Sequence, residues 1–299
     1  MKNTIFTGAG VAIVTPMDED GFVNYEEFER LIDYNINNGT DAIIVCGTTG
    51  ESATLSFLEH CDVVKHCIDY VNGRVPVIAG TGSNDTNFAI RLSKKACEYG
   101  ADGLLIVTPY YNKASQRGLI KHFTAIADAV DKPIIIYSVA SRTGVNIAPE
   151  TCLELSKHKN IVAIKEASGN ISQVAKIRAL CGDELDVYSG NDDQIVPMMA
   201  LGAKGVISVL SNVMPEKTHK IAQYCLDGDF DKAASLSLET LDLANALFCD
   251  VNPIPVKEAL NILGFNAGSC RLPLCDMTDE KKAFLKSVLD KYNLVGIID

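Results

Sequence analysis

The stretch Ile161–Ser168 reads IVAIKEAS, four apolar residues followed by a lysine. A run of this composition forms a strand buried on both faces. Alternation along it puts Ile161, Ala163 and Lys165 on one face and Val162, Ile164 and Glu166 on the other. An ammonium at the end of such a strand has two readings. It snorkels to solvent or pairs with a carboxylate, or it sits in a low-dielectric pocket that disfavours its charge and frees the amine to attack a carbonyl. The second reading needs a proton donor and acceptor close by, because a carbinolamine must lose water and the imine must pass through an enamine. Tyr137 ends the preceding apolar run on the same face as Ile135, and is a candidate for that role as well as for a core-filling aromatic. The loop GTTGES (47–52) has capping-box spacing at Thr48 and Glu51 and a turn at Gly50. The same turn also offers backbone N–H groups and threonine hydroxyls to a carboxylate. Arg142, within SRTG, is either a solvated loop charge or a guanidinium fork for a substrate carboxylate.

The elements that must carry these residues recur along the chain. Short apolar runs appear every 25 to 30 residues or so, each followed by a segment of helical periodicity. They are GVAIVTP (10–16), AIIVCG (42–47), VPVIAGTG (75–82), GLLIVTPY (103–110), PIIIYSV (133–139), IVAIKEA (161–167), LDVYSG (185–190) and GVISVLS (205–211). Amphipathic segments such as NFAIRLSKKACEYG lie between them, that one closing on the glycine expected just past a helix. Eight strand and helix repeats match a closed (β/α)8 TIM barrel better than an open doubly wound sheet, and no GxGxxG follows a strand. After residue 228 only helical patterns remain. The expected architecture is an α/β chain with a barrel carrying the active site at 1–228 and a small C-terminal helical domain at 229–299. In such a barrel the chemistry gathers at the C-terminal ends of the strands.

Composition removes several classes of function. With 299 residues, 47% hydrophobic and 22% charged, the chain buries a large core and has no disorder signature. A net charge of −11 repels a phosphate backbone, so nucleic acid is not an expected partner. There is no run of about 18 apolar residues, and the start MKNTIFTGAG lacks the plan of a signal peptide, so a cytoplasmic chain without a membrane partner is expected. The 10 cysteines form no CxxC pair and are expected to be reduced and buried. The 5 histidines show no metal-ligand spacing, and no metal is expected. Barrels that take phosphorylated ligands carry glycines and basic groups after strands 7 and 8, where this chain has SGNDD and SVLSN. A small unphosphorylated keto acid fits better.

GTTGESATL, VIAGTGSN, TPYYNK, YSVASRTG, AIKEASGN, GVISV, NPIPVK (252–257) and RLPL (271–274) together resemble, in order and spacing, the dihydrodipicolinate synthases, also called 4-hydroxy-tetrahydrodipicolinate synthases. The resemblance runs over nearly the whole chain. It implies condensation of pyruvate with L-aspartate 4-semialdehyde through a lysine Schiff base, the first step toward diaminopimelate and lysine, with no cofactor beyond that covalent link. By the same resemblance Lys165 is the Schiff-base lysine and Tyr137 the residue that moves protons. Thr48 links Tyr137 to a second tyrosine, Tyr111, which reaches in from a neighbouring subunit. Thr49 holds the pyruvate carboxylate, Arg142 receives that of the semialdehyde, and Gly190 and Ile207 line the site. A homotetramer built as a dimer of dimers is implied. Ser138 and Ala140 stand where the family commonly has Asn and Pro. The family's lysine-inhibition cleft corresponds to Ser52, Ala53, Phe57, His60, Asn84, Phe88 and Tyr110, with Phe57 in place of a histidine and Phe88 in place of a glutamate. Inhibition by lysine is therefore expected to be weak.

Two rivals share features with this reading. N-acetylneuraminate lyase and the 2-keto-3-deoxy sugar acid aldolases use the same GTTGE loop and lysine strand, but generally place no arginine where Arg142 stands. A barrel that only senses a keto acid would bind pyruvate without a covalent adduct.

Overall fold

The computed structural model describes residues 2–298. Eight parallel strands close into a barrel in sequence order: β1 (Gly8–Ala12), β2 (Ala42–Val45), β3 (Val77–Gly80), β4 (Gly103–Val107), β5 (Ile134–Ser138), β6 (Ile161–Glu166), β7 (Asp186–Ser189) and β8 (Gly205–Ser208). Seven of the eight apolar runs contain their strand whole, while β1 begins two residues before GVAIVTP (10–16). The surrounding helices are α1 (Tyr25–Asn37), α2 (Phe57–Val71), α3 (Thr86–Tyr99), α4 (Gln116–Asp128), the short α5 (Ala140–Thr143), α6 (Pro149–Leu155), α7 (Ile171–Cys181), α8 (Ile195–Ala200) and α9 (Pro215–Leu226). Local chemistry sets their ends. α3 starts where the Asp85 carboxylate accepts from the Asn87 amide and stops at Gly100, whose φ of 96° suits the residue without a Cβ.

Three more helices follow: α10 (Phe230–Ala246), α11 (Ile254–Leu263) and α12 (Asp279–Lys291). α10 packs on α8, α9 and α12, and α12 also meets α11. Leu243, Val256, Leu260 and Leu285 join the same apolar cluster as the helices around the barrel.

Two apolar shells explain why the strand runs are continuous rather than alternating. Ile44, Ile78, Leu105, Ile135, Ala163 and Ile207 fill the barrel, while Val45, Val77, Ile136 and Ile164 face the helices with Phe28, Leu31 and Phe123. A strand with a core on both sides has no polar face. At the N-terminal end of the barrel Phe6 and Tyr188 stack with ring centroids 4.4 Å apart, and the Tyr188 hydroxyl donates to the Phe6 carbonyl at 2.6 Å.

Strict alternation fails at the start of β6. Ile134 pairs with Ile161 but Ile135 pairs with Ala163, a bulge that takes Val162 out of register. Ile161 consequently lies in the outer shell and Val162 in the inner one. The shared face expected for Ile161 and Ala163 is thus corrected, because the extra residue resets the phase. Ala163 and Lys165 still point inward, and β6 sets Lys165 beside Tyr137 on β5 and Tyr188 on β7.

All ten cysteines are free thiols. Six are buried as expected, but Cys97, Cys249 and Cys270 are half-buried and Cys275 is exposed. No helix of the described residues is long and apolar enough to cross a membrane, and none of their His, Cys, Asp and Glu side chains gather in threes as a metal ion would need.

Candidate active site

Lys165, next to last in β6, is 6% exposed, with Nζ 4.4 Å from the centroid of the Tyr137 ring. Burial pushes its pKa down to about 8; the Asp192 carboxylate works against that shift and the Arg142 guanidinium adds to it. Space for the side chain comes from Gly190, at the end of β7. A Cβ on Gly190 would stand 2.7 Å from Ala167 Cβ and 3.1 Å from Lys165 Cε, closer than packed carbons tolerate.

Tyr137 is 6% exposed, and burial raises its phenol to about 12 against the opposing effects of Arg142 and a hydrogen bond with the Thr48 side chain. The phenol is therefore a proton donor throughout the neutral range. Thr48 and Thr49 lie on the loop after β2, which is fastened at several points. Cys46 and Glu51 both adopt left-handed backbone, at φ 53° and 56°. The Thr15 hydroxyl donates to the Gly50 carbonyl at 2.8 Å. A Cβ on Gly50 would come within 3.1 Å of the Cys46 backbone, so a larger residue would force the turn apart by a few tenths of an ångström.

The capping box expected at Thr48 and Glu51 is not formed. Glu51 closes a tight turn, its amide donating to the Thr48 carbonyl at 3.1 Å, and its carboxylate turns into the protein. There Lys257 of α11 donates to Oε1 at 2.8 Å and the Arg271 amide to Oε2 at 2.9 Å, while Lys257 also donates to the Ser269 carbonyl at 2.8 Å. Both partners of this ion pair are 2% exposed. A capping box does start α2, but from Ser56 and Glu59.

Thr48, Thr49, Tyr137, Arg142, Lys165 and Gly190 converge on one cavity of about 570 Å³ at the C-terminal end of the barrel. Arg142 sits in the last turn of α5, exposed at the rim, and donates from Nη2 to the Asn252 carbonyl at 3.1 Å. The Ser138 hydroxyl, buried under this loop, accepts from the Ile147 amide at 3.2 Å and donates to Asn146 Oδ1 at 3.3 Å. Ala140 simply starts α5. Ile207 packs in the inner shell with Tyr137 and forms no part of the cavity wall. Tyr111 is not brought to the site within the chain. It is 90% exposed and held at φ 73°.

A second cavity of about 590 Å³ adjoins the first and shares Thr48, Arg142 and Asn252 with it. Ser52, Ala53, His60, Asn84, Phe88 and Tyr110 line it. Phe57 stands behind that wall, its ring edge-on to Phe88 at 5.6 Å and under the Arg91 guanidinium at 4.8 Å. His60 holds the Gly80 carbonyl from Nε2 at 2.8 Å, and burial lowers its pKa to about 4, so it is neutral.

Sequence reasoning passed over several groups on the wall of the first cavity and one, Asp192, just outside it. Asp192 is 7% exposed and accepts from the Val209 and Leu210 amides at 3.1 and 2.9 Å. Phe248, Asp250, Val251 and Asn252 reach the wall from the segment between α10 and α11. SGND and NPIPVK held the only signals for Asp192 and Asn252, the first as a strand end and the second as a motif of resemblance.

The comparisons with known proteins agree over this whole frame. The 4-hydroxy-tetrahydrodipicolinate synthase of Caldicellulosiruptor saccharolyticus is 58% identical over 290 residues, 97% of this chain and 98% of that one. Among solved structures, dihydrodipicolinate synthase from Aquifex aeolicus superposes with a TM-score of 0.95 at 48% identity, covering 97% of this chain and 99% of the other. The chloride-inhibited dihydrodipicolinate synthase from Acinetobacter baumannii, complexed with pyruvate, gives a TM-score of 0.96 at 42% identity, covering 98% of this chain and 100% of the other. The model of the dihydrodipicolinate synthetase family matches residues 5–292, so that barrel, lysine strand and C-terminal helices fall within a single match, and the chain belongs to that family.

Proposed function

We propose that the chain condenses pyruvate with L-aspartate 4-semialdehyde through a Schiff base at Lys165, acting as a 4-hydroxy-tetrahydrodipicolinate synthase. One observation carries the chemistry: a buried amine with its pKa near 8 lies against a protonated phenol that is itself hydrogen-bonded to a threonine. The neutral amine attacks the pyruvate carbonyl carbon, and Tyr137 delivers the proton with which the carbonyl oxygen leaves as water. The Tyr137 phenolate then takes a methyl proton, which turns the imine into an enamine, and the enamine carbon attacks the semialdehyde aldehyde, whose oxygen receives that proton. The substrate's own amine then displaces Lys165 as the ring closes, which regenerates the enzyme without any cofactor.

Thr49 is assigned to the pyruvate carboxylate and Arg142 to that of the semialdehyde. Gly190 gives the lysine room, and Ile207 belongs to the apolar layer inside the barrel that also holds Tyr137. Incubation with pyruvate and borohydride should leave one reduced adduct per chain, on Lys165. An adduct mapped to another residue, or none, would sink the mechanism. Product should form only when both substrates are supplied to a coupled reductase assay, and N-acetylneuraminate should not be cleaved.

Tyr111 is assigned to the site of a neighbouring subunit, in a tetramer made of two such dimers. A phenol 90% exposed on a backbone held at φ 73° is what supports this, since neither feature gains anything within one chain. Hybrids of Tyr111→Phe and Lys165→Ala chains should recover activity that neither parent has. Hybrids demonstrated by mass that stay inactive would remove Tyr111 from the site. The second cavity is assigned to the family's lysine site in a weakened form, and the enzyme to the cytoplasm.

A further inference from the structure

Asn252 lies between α10 and α11, 5% exposed, and touches both groups assigned above to substrate carboxylates. Its Nδ2 donates to Thr49 Oγ1 at 3.1 Å, across 203 residues of sequence. Its main-chain carbonyl accepts from Arg142 Nη2 at 3.1 Å. Its Oδ1 is buried without a hydrogen-bond partner among the described residues.

A threonine hydroxyl has one proton to give and lone pairs to receive with. A carboxylate only accepts, so Thr49 can hold one only by spending its proton there. An acceptor facing Oγ1 would draw that proton away and turn the oxygen lone pairs toward the ligand. Asn252 presents a donor instead, which occupies a lone pair and leaves the Thr49 proton free. In this orientation the amide oxygen has no partner among the described residues.

Resting on the assignment of Thr49 to pyruvate, we infer that Asn252 is a positioning residue that fixes Thr49 as a hydrogen-bond donor to the keto acid carboxylate. The C-terminal segment thus sets the polarity of a group on a barrel loop. Substitution of the side chain leaves the main-chain carbonyl under Arg142 in place, so the effect falls on one substrate and spares the other.

Four variants test this, with steady-state kinetics, the pyruvate dependence of borohydride trapping, and thermal unfolding to establish folding. Asn252→Asp keeps the size and replaces the donor with an acceptor. The pyruvate concentration for half-maximal trapping should rise about 30-fold or more, while KM for the semialdehyde stays within about threefold. Asn252→Ala should raise the pyruvate requirement by only about 5- to 10-fold. Thr49→Val should raise it at least as much as Asn252→Ala, and the double variant Thr49→Val with Asn252→Ala should add less than about threefold, because the two act as one unit. Asn252→Asp within threefold of the wild type for pyruvate, equal losses for both substrates, or full additivity in the double variant would each overturn the inference. If Thr49→Val leaves the pyruvate requirement unchanged, the assignment of Thr49 itself fails and this inference falls with it.

Discussion

The two cavities at the barrel mouth are nearly equal in volume and share Thr48, Arg142 and Asn252, yet they treat charge in opposite ways. In the first, Lys165 makes no hydrogen bond among the described residues and Asp192 bears on it only through space, so the amine is left with its pKa lowered and its lone pair available. In the second, Glu51, Asp85 and His60 on the wall are already engaged or neutral. Glu51 is saturated by Lys257 and the Arg271 amide, Asp85 caps α3, and His60 is uncharged. Volume and enclosure do not separate a reactive site from a cleft. What separates them is whether a buried ionisable group has been left without a structural duty.

The sharpest way to break this contrast is to remove the uncommitted amine. Lys165→Ala should lower kcat by more than about 10⁴-fold while circular dichroism stays native, since no other group at the site can form the imine. Tyr137→Phe should cost about 10²- to 10³-fold, the worth of a positioned proton donor. Retention of a tenth of wild-type activity by either variant would put the chemistry elsewhere.

A smaller effect comes from giving the second cavity a free carboxylate. An ammonium ligand beside Phe88 must be desolvated without a carboxylate at that position, a deficit on the order of 2 to 5 kcal/mol, against about 0.5 to 2 kcal/mol from a cation–π contact with Phe88. The deficit is larger, so wild-type initial rates should show no half-inhibition by lysine below about 0.1 mM. Phe88→Glu should tighten inhibition by about 30-fold or more. Tight inhibition of the wild type would mean that the cleft recognises lysine without that charge.

The mildest test varies only pH. Neutral Lys165 is the nucleophile, and with its pKa near 8 roughly a tenth of chains carry it at pH 7. The rate of imine trapping at fixed pyruvate should fall about tenfold per unit below pH 8 and level off above it. Tyr137, raised to about 12, keeps its proton through that window and adds no limb of its own. A profile flat from pH 6 to 9 would contradict a burial-tuned amine.

Much of this contrast is legible in the sequence, for physical reasons that differ from residue to residue. Strands with cores on both sides give unbroken apolar runs, and Lys165 stands out because an ammonium ends one of them. The bulge at Val162 is invisible for the same reason, since exchanging one buried face for another leaves no polar trace. Glu51 shows the opposite failure: its spacing from Thr48 imitates a cap, and only the arrival of Lys257 reveals a buried ion pair. Asp192 and Asn252 are polar loop residues whose worth depends on partners far away in the chain, and local pattern carries no record of those partners.

The bond between Glu51 and Lys257 spans 206 residues and therefore has a consequence in time during synthesis. A ribosome that has released the first 228 residues has delivered all eight strands but neither Asn252 nor the cation for Glu51. Until residues 257 to 271 emerge, Glu51 has neither the Lys257 ammonium nor the Arg271 amide, and the loop bearing Thr48 and Thr49 lacks the buried ion pair that fastens it. The nascent barrel thus holds its amine without a finished carboxylate seat beside it, and cellular keto acids meet an active site only once translation is nearly complete.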